Sequence, residues 1–243
     1  MGKLDGKVAL VTGSSSGIGE GIARGFAAEG AAVALVARRA ERLQKLADEI
    51  ALTGGAALAL PADVTSESQV ERIFAATLER FSRLDLLVNN AGTAVRGAID
   101  ELAVEDWDRV LAINLRAPFL CTRQAMRIMK RQGGGRIINI GSISAQRVRP
   151  SNAPYNASKF GIDGLTQSTA LEGRPYGISC SVLHPGNTRS ELTVNPGRPP
   201  SEEPMMEVEE LAQAALLMAT LPPHVNMLHA IVLPVGMPYL GRG

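Results

Sequence analysis

Val8-Ala9-Leu10-Val11-Thr12-Gly13-Ser14-Ser15-Ser16-Gly17-Ile18-Gly19 is an apolar run that breaks into a glycine-rich turn. A short, wholly apolar segment such as Val8–Val11 reads as a strand buried on both faces of a parallel sheet. Residues Glu20 to Glu29 then follow helical periodicity, closed by Gly30. Strand, glycine turn and helix together open a doubly wound α/β sheet. Gly13 suits the tight turn, Gly17 lets a ligand come close to the backbone, and Gly19 lets the helix pack on the strand. The unpaired N–H groups at the helix start favour a pyrophosphate. The spacing is G-x-x-x-G-x-G.

Outward from this unit, strand and helix patterns alternate. Ala32–Ala37 reads as the second strand and delivers Arg38 and Arg39 at its end. No carboxylate stands there to accept from a ribose 2′-hydroxyl, and a guanidinium is a bidentate phosphate ligand, so Arg38, with Arg39 beside it, predicts the 2′-phosphate of NADP. A helix over 40–53 leads to a third strand, Ala56–Leu60, and then to Asp63 and Val64. Asp63 would accept from an adenine amino group or cap the helix over 67–81. A fourth strand, Leu84–Val88, ends in Asn89-Asn90-Ala91-Gly92, small and amide residues across which a dinucleotide can lie.

The segment 105–132 is largely helical, with Asn114 in its interior and Pro118 four residues on. Asparagine is a poor interior helix residue, so a kink, a bound water or exposure is expected there. A fifth strand, Arg136–Ile140, delivers Gly141 and Ser142, and a helix over 155–172 follows. Ser179–Leu183 is the sixth strand and runs into Pro185-Gly186-Asn187-Thr188. Residues 189–207 are rich in Pro, Gly, Glu and Ser and read as a lid over a ligand site. A helix over 208–219 and a strand over 230–233 complete one α/β domain spanning 1–243, without internal repeat or linker.

On the helix over 155–172, Tyr155 and Lys159 lie four apart and share a face. A phenol titrates near roughly 10, and a unit positive charge about 4 Å away at an effective dielectric of ~20 is worth about 4 kcal/mol. The expectation is a phenol brought down by about three pKa units, suited to general acid–base work. Ser142, ending a strand, is a capping residue by itself. No G-x-S-x-G elbow surrounds it, and His184 has no triad partner readable in the sequence, which disfavours an acyl nucleophile.

Composition narrows the classes further. Lys+Arg 25 against Asp+Glu 24 leaves a net charge of +1, which gives no argument for nucleic acid or an anionic membrane. The start has no signal-like apolar region and no stretch approaches ~18 uninterrupted apolar residues, so a cytoplasmic, reducing location is the expectation. The two cysteines, Cys121 and Cys180, lie in apolar segments without CxxC spacing and read as buried thiols.

Taken together, Thr12-Gly13-xxx-Gly17-Ile18-Gly19, Asp63, Asn89-Asn90-Ala91-Gly92, Asn114, Ser142, Tyr155-xxx-Lys159 and Pro185-Gly186 resemble the short-chain dehydrogenase/reductase family over essentially the whole chain. The resemblance implies a single-domain Rossmann fold with a seven-stranded parallel sheet. It implies hydride transfer between a nicotinamide and a carbonyl or alcohol, on a small-molecule substrate. It makes Tyr155 the proton donor in reduction, Ser142 a donor to the substrate oxygen, Lys159 the residue that lowers the phenol pKa and holds the nicotinamide ribose, and Asn114 the holder of a relay water. It places the cofactor against Gly13, Ser15, Ser16, Gly17, Ile18, Gly19, Arg38, Arg39, Asp63, Val64, Asn90, Ala91, Gly92, Tyr155, Lys159, Pro185, Gly186 and Thr188. It also implies a homotetramer or homodimer formed through the helices over 105–132 and 155–172.

The sequence departs from relatives at Ser16, where many NADP enzymes carry a basic residue, and after Pro185-Gly186, where Thr188 and Ser190 stand. The ending Leu233-Pro234-Val235-Gly236 lacks the Asp-Gly-Gly of fatty-acid-type members, which favours small carbonyls or 3-hydroxy acids over a 3-oxoacyl-[acyl-carrier-protein] reductase. Arg96, Arg147 and Arg149 border the expected substrate region and could hold a carboxylate. Met205, Met206, Leu192 and Val194 could instead give the lid an apolar face. The reading from another class is a regulator that binds NADP without turnover. It would have no use for a proton relay.

Overall fold

The computed structural model describes residues 2–193 and 203–239. Seven strands form one parallel sheet in the order β3-β2-β1-β4-β5-β6-β7. They are β1 (Val8–Thr12), β2 (Ala32–Ala37), β3 (Ala56–Pro61), β4 (Leu86–Asn89), β5 (Gly135–Ile140), β6 (Ile178–Pro185) and β7 (His229–Val232). The helices are α1 (Gly17–Ala28), α2 (Ala40–Leu52), α3 (Glu67–Phe81), α4 (Val104–Leu111), α5 (Ala117–Gln132), α6 (Ala153–Gly173) and α7 (Val208–Thr220).

Period-2 alternation sorts the strand side chains between two cores. Ala9 and Val11 of β1 face one core with Ile22 and Phe26 of α1, Leu43 and Ile50 of α2, and Leu211 and Met218 of α7. Leu10 faces the other, with Val70, Ile73 and Phe74 of α3 and Leu120, Cys121 and Met129 of α5. Both faces of the sheet are thus covered, which is why the strands read as continuous apolar runs rather than as alternating ones. Cys121 and Cys180 are free and buried, as expected, and burial pushes each thiol up to about 12.

A polar ladder runs through the second core. Asn89 Nδ2 donates to Asn139 Oδ1 at 2.8 Å and to Thr122 Oγ1 at 3.1 Å, and Asn139 Nδ2 donates to Thr166 Oγ1 at 2.8 Å. Asn89 therefore ties β4 to β5 and α5 and does not face the strand ends.

The segment 105–132 is two helices joined by a π-helical turn, Ala112–Arg116, with Asn114 within it and Pro118 opening α5. The expected disturbance is an inserted turn rather than a kink at the proline. The sheet order reverses between β1 and β4, which leaves a crevice at their carboxyl ends where ligands bind in such folds. The glycine turn after β1, the Asn90–Gly92 turn after β4 and Ser142 after β5 all open onto that end.

Candidate active site

The turn after β1 has left-handed backbone at Gly13 (φ 67) and Gly17 (φ 57). A Cβ at Gly13 would stand 2.8 Å from Asn90 Nδ2 and 2.9 Å from Ala91 Cα, so only glycine lets the two strand-end turns meet. Thr12 Oγ1 accepts from the N–H groups of Asn90 (3.0 Å) and Ala91 (3.1 Å), and Asn90 Nδ2 returns a bond to the Thr12 carbonyl at 3.0 Å. Ser16 sits at the N-cap of α1 without a side-chain capping bond. Among the described residues no side chain satisfies the first N–H groups of the helix, which leaves them open toward the cleft.

A cleft of about 390 Å³ opens above these turns, within the range of small-molecule sites. It is lined by Gly13, Ser15, Ser16, Gly17, Ile18, Arg38, Arg39, Asp63, Val64, Asn90, Ala91, Gly92, Tyr155, Lys159 and Pro185 from the expected set. Gly19 lies behind it, where a Cβ would stand 2.5 Å from the Gly13 carbonyl oxygen. Gly186 is packed against Leu233 and Met237. The buried Thr188 spends its hydroxyl on the Gly186 carbonyl at 3.2 Å, so it does not reach the cleft as expected. Its backbone pairs instead with Met206. The residues present fit a dinucleotide: a glycine cradle, open helix N–H groups, an amide turn and two arginines at the far end.

Asp63 Oδ1 accepts from the N–H (2.9 Å) and hydroxyl (2.8 Å) of Thr65. Burial raises its pKa, but these bonds and the charge of Arg38 outweigh it and hold the carboxyl below its ordinary range. It does not cap α3, whose N-cap is Ser66. Arg38 is exposed and makes no hydrogen bond or ion pair among the described residues. Arg39 is the engaged arginine. Its Nε reaches Ser15 Oγ at 3.1 Å and its Nη2 reaches Ser16 Oγ at 2.6 Å.

The sequence reading missed Glu191, which lines the same cleft. Its carboxylate accepts from Arg39 Nη1 at 2.7 Å and from Arg42 Nη1. These arginines, with Ser16, pull its pKa down to about 2. A carboxylate thus stands at the end of β2 after all, supplied by a segment 152 residues away in sequence. Local pattern carries no signal for such a contact. Gly17 also packs on this segment, since a Cβ there would meet Ser190 Cβ at 3.0 Å.

At the other end of the cleft, Tyr155 and Lys159 share the face of α6, and the Ser142 side chain stands near enough to the Tyr155 phenol to act on its pKa. Lys159 is buried, donates from Nζ to the Ile140 carbonyl at 2.8 Å, and lies 5.4 Å from the Tyr155 ring centroid. Burial draws its pKa down to about 8. The expected lowering of the phenol is not met. Desolvation pushes Tyr155 above its ordinary range, with the Ser142 side chain pulling the other way. Lys159 is aimed at β5 rather than at the phenolic oxygen, and two groups that both lose water favour their neutral forms.

Asn114 is 1% exposed, and each polar atom of its side chain is engaged. Oδ1 accepts from Thr93 N–H (2.8 Å), and Nδ2 donates to the Thr93 carbonyl (2.9 Å) and to Ser158 Oγ (3.1 Å). The side chain therefore clamps Thr93, a cleft residue. The π turn is the means: it lets one helix carry an inward amide without a gap in its own backbone ladder, and such turns gather at functional sites.

Arg96, Arg147 and Arg149 do not line the cleft. Arg149 pairs with Glu203 at 2.6 Å, and Arg147 stacks over Tyr239 at 5.8 Å. Leu192 does line the cleft, Met206 is buried in the first core, and the lid residue Val194 lies outside the described residues. No described helix is long and apolar enough to cross a membrane.

The family profile described as short chain dehydrogenase matches residues 7–199. An uncharacterized oxidoreductase of Bacillus subtilis, YxjF, is 41% identical over 189 residues, covering 78% of this chain and 74% of that one. A metagenomic short-chain oxidoreductase solved in complex with NADP superposes with a TM-score of 0.85 at 32% identity, covering 96% of this chain and 99% of that one. A 3-ketoacyl-(acyl-carrier-protein) reductase from Brucella melitensis, solved with NADH, gives a TM-score of 0.86 at 33% identity, covering 95% and 98%. A sheet, a glycine cradle and a Ser–Tyr–Lys cluster in this arrangement, with matches across the chain, are sufficient: the protein is an oxidoreductase of the short-chain dehydrogenase family.

Proposed function

We propose that the chain interconverts a carbonyl and a secondary alcohol or 3-hydroxy acid, using NADP(H). The observation that carries this reading is that Tyr155 and Lys159, with the buried Ser142 beside the phenol, stand at one end of the cleft whose other end holds the glycine cradle and Arg38–Arg39. When bound, the nicotinamide supplies or accepts the hydride.

The chain's own residues do the rest. Ser142 and Tyr155, whose side chains are neighbours, offer two O–H groups to a single substrate oxygen and stabilise negative charge there as it develops. Tyr155 gives that oxygen its proton in reduction and takes it back in oxidation. A phenol that burial keeps protonated is ready as the acid for reduction. Lys159 stands behind the phenol as the cation that offsets the phenolate. Arg38 and Arg39 would hold a 2′-phosphate, Arg38 being unpaired among the described residues.

The single domain works in the cytoplasm, with residues 189–207 as the substrate lid, and assembles as a homotetramer or homodimer through α4–α5 and α6. A groove lined by Phe119, Met126 and Leu165 on that face supports the assembly. The similarity to 3-ketoacyl-(acyl-carrier-protein) reductase keeps 3-oxoacyl thioesters in the substrate screen.

The test is a panel of ketones, aldehydes, 3-hydroxy acids and a 3-oxoacyl thioester with NADPH and NADH. Wild type turns over at least one member, and Tyr155→Phe loses turnover while still binding NADPH. Full activity in Tyr155→Phe refutes the mechanism. Failure of the whole panel with tight NADPH binding supports a sensor instead.

A further inference from the structure

His184 is fully buried on β6, three strands from the β1 that carries the glycine turn, and no role in the chemistry above uses it. Its Nδ1 lies 3.2 Å from the backbone nitrogen of Ser142 and 2.9 Å from the Ser142 carbonyl oxygen. Its Nε2 lies 3.2 Å from Asp163 Oδ1. Asp163 follows Tyr155 and Lys159 at the same four-residue spacing, so one face of α6 carries all three. Apart from each other, His184 Nε2 and Asp163 Oδ1 have no partner among the described residues. The approach is close: a Cβ on Gly141 would lie 2.5 Å from His184 Nδ1, so glycine at 141 is what admits the ring.

A neutral imidazole carries one N–H. With the proton on Nε2, it donates to Asp163, and Nδ1 is left to accept from the Ser142 N–H. The other tautomer would set a bare Nε2 lone pair against a carboxylate, so Asp163 selects the first. Ser142 is the extended residue (φ −170) that caps the short 3-10 turn Ile143–Ala145, and its Oγ accepts from Ser144 N–H at 3.1 Å. Fixing its N–H therefore fixes where its hydroxyl stands.

We propose that Asp163 and His184 are positioning residues: they lock the backbone of Ser142 and so aim its hydroxyl at the Tyr155 phenol. The inference rests on the reading of Ser142 as a donor to the substrate oxygen. It adds a pH dependence. A protonated ring would carry a proton on Nδ1 and donate to the Ser142 carbonyl instead of accepting from its N–H. The charged and titratable groups around the ring are Asp163 and Lys159 from α6 and His229 from β7, whose ring centroid is 5.9 Å away. Burial holds His184 below its ordinary range, Asp163 and the Ser142 bond oppose this, and Lys159 and His229 reinforce it. The ring is therefore neutral at pH 7 and the pair is engaged.

The test compares His184→Leu, His184→Asn and His229→Ala with wild type, all checked for NADPH affinity and for folding. In His184→Leu, kcat falls on the order of 10²-fold, as for a misplaced catalytic group, with NADPH Kd unchanged within about twofold. His184→Asn, whose amide oxygen can take the place of Nδ1, recovers most of kcat and loses the acid-side limb of the kcat profile that wild type shows. The amide resonance of Ser142 shifts in His184→Leu and returns toward wild type in His184→Asn. That readout needs no turnover, so it tests the pair even if the proposed reaction fails. Full kcat in His184→Leu overturns the proposal. So does an unmoved Ser142 amide, or equal loss in the Leu and Asn variants. His229→Ala keeps wild-type kcat. Asp163, His184 and His229 bring their ligand atoms within 4.8 Å of one another, so loss of activity in His229→Ala with zinc rescue would make them a metal site and overturn the positioning role.

Discussion

Replacing Glu191 by glutamine tests how the far end of the cleft chooses its cofactor. In the structure its carboxylate is shared by Arg39 and Arg42, and Arg39 is also bonded to Ser15 and Ser16. A 2′-phosphate seeking Arg39 competes with a carboxylate already in place. The Glu191 side chain is 53% exposed, so each ion pair is worth about 0.2–1 kcal/mol. Releasing both is worth ~1 kcal/mol, and ~1.4 kcal/mol is tenfold in affinity. Glu191→Gln should therefore tighten NADPH about three- to tenfold and leave NADH within about twofold. In 1 M salt, where the Debye length is ~3 Å, the difference should shrink toward unity. Because the carboxyl is held down to about 2, and a phosphate monoester loses its second proton at about 6, the effect is constant from about pH 7.5 to 9. Fluorescence titration of both reduced cofactors at low and high salt reads all of this. An unchanged or weakened NADPH Kd, or a parallel change for NADH, refutes the competition.

Other expectations follow from the same geometry. Lys159 releases its proton near 8 in the folded chain against 10.5 in the ordinary state. The unfolded chain then binds more protons between those values, so this group's penalty is fully present below 8 and fades as pH rises toward 10.5. The penalty is worth about 3 kcal/mol, and the lost bond to Ile140 offsets about 1. Lys159→Met should thus gain ~2 kcal/mol in urea denaturation at pH 7 while losing activity; a destabilised variant refutes the buried-charge account. Asn114→Ala leaves the N–H and carbonyl of the half-buried Thr93 without their Asn114 partner and takes one bond from the buried Ser158 hydroxyl, which keeps its bond to the Tyr155 carbonyl. It should cost about 1–3 kcal/mol and lower kcat, read by denaturation and single-turnover kinetics. Cys121 and Cys180 should react with a thiol reagent only on unfolding, since both thiols lie near 12.

Much of the fold was legible because its signals are local. The β1 run, the glycine turn and the start of α1 lie within one short stretch, and parallel strands buried on both faces announce themselves as apolar runs. Tyr155 and Lys159 were legible as a pair because helix geometry puts i and i+4 on one face. Asn114 was legible as an anomaly, but its partner Thr93, on a loop 21 residues earlier, was not. Glu191 and the His184–Asp163 pair were invisible for the same reason. Each depends on an approach that the sheet order creates between distant segments, and a lone Glu or His in a loop or strand carries no periodicity. Thr188 erred the other way. Its place after Pro185-Gly186 pointed to the cleft, while its hydroxyl closes on its own backbone.

The bridge between Thr188 and Met206 has a structural consequence. Arg189 N–H reaches the Met206 carbonyl and Met206 N–H reaches the Asn187 carbonyl, each at 2.8 Å. The two ends of the intervening segment are thus stapled side by side onto the sheet. Lengthening a loop whose ends are already joined is cheap, ~0.6 kcal/mol for each doubling. The staple therefore keeps the end of β6 and the start of α7 in register whatever the length of chain that joins them.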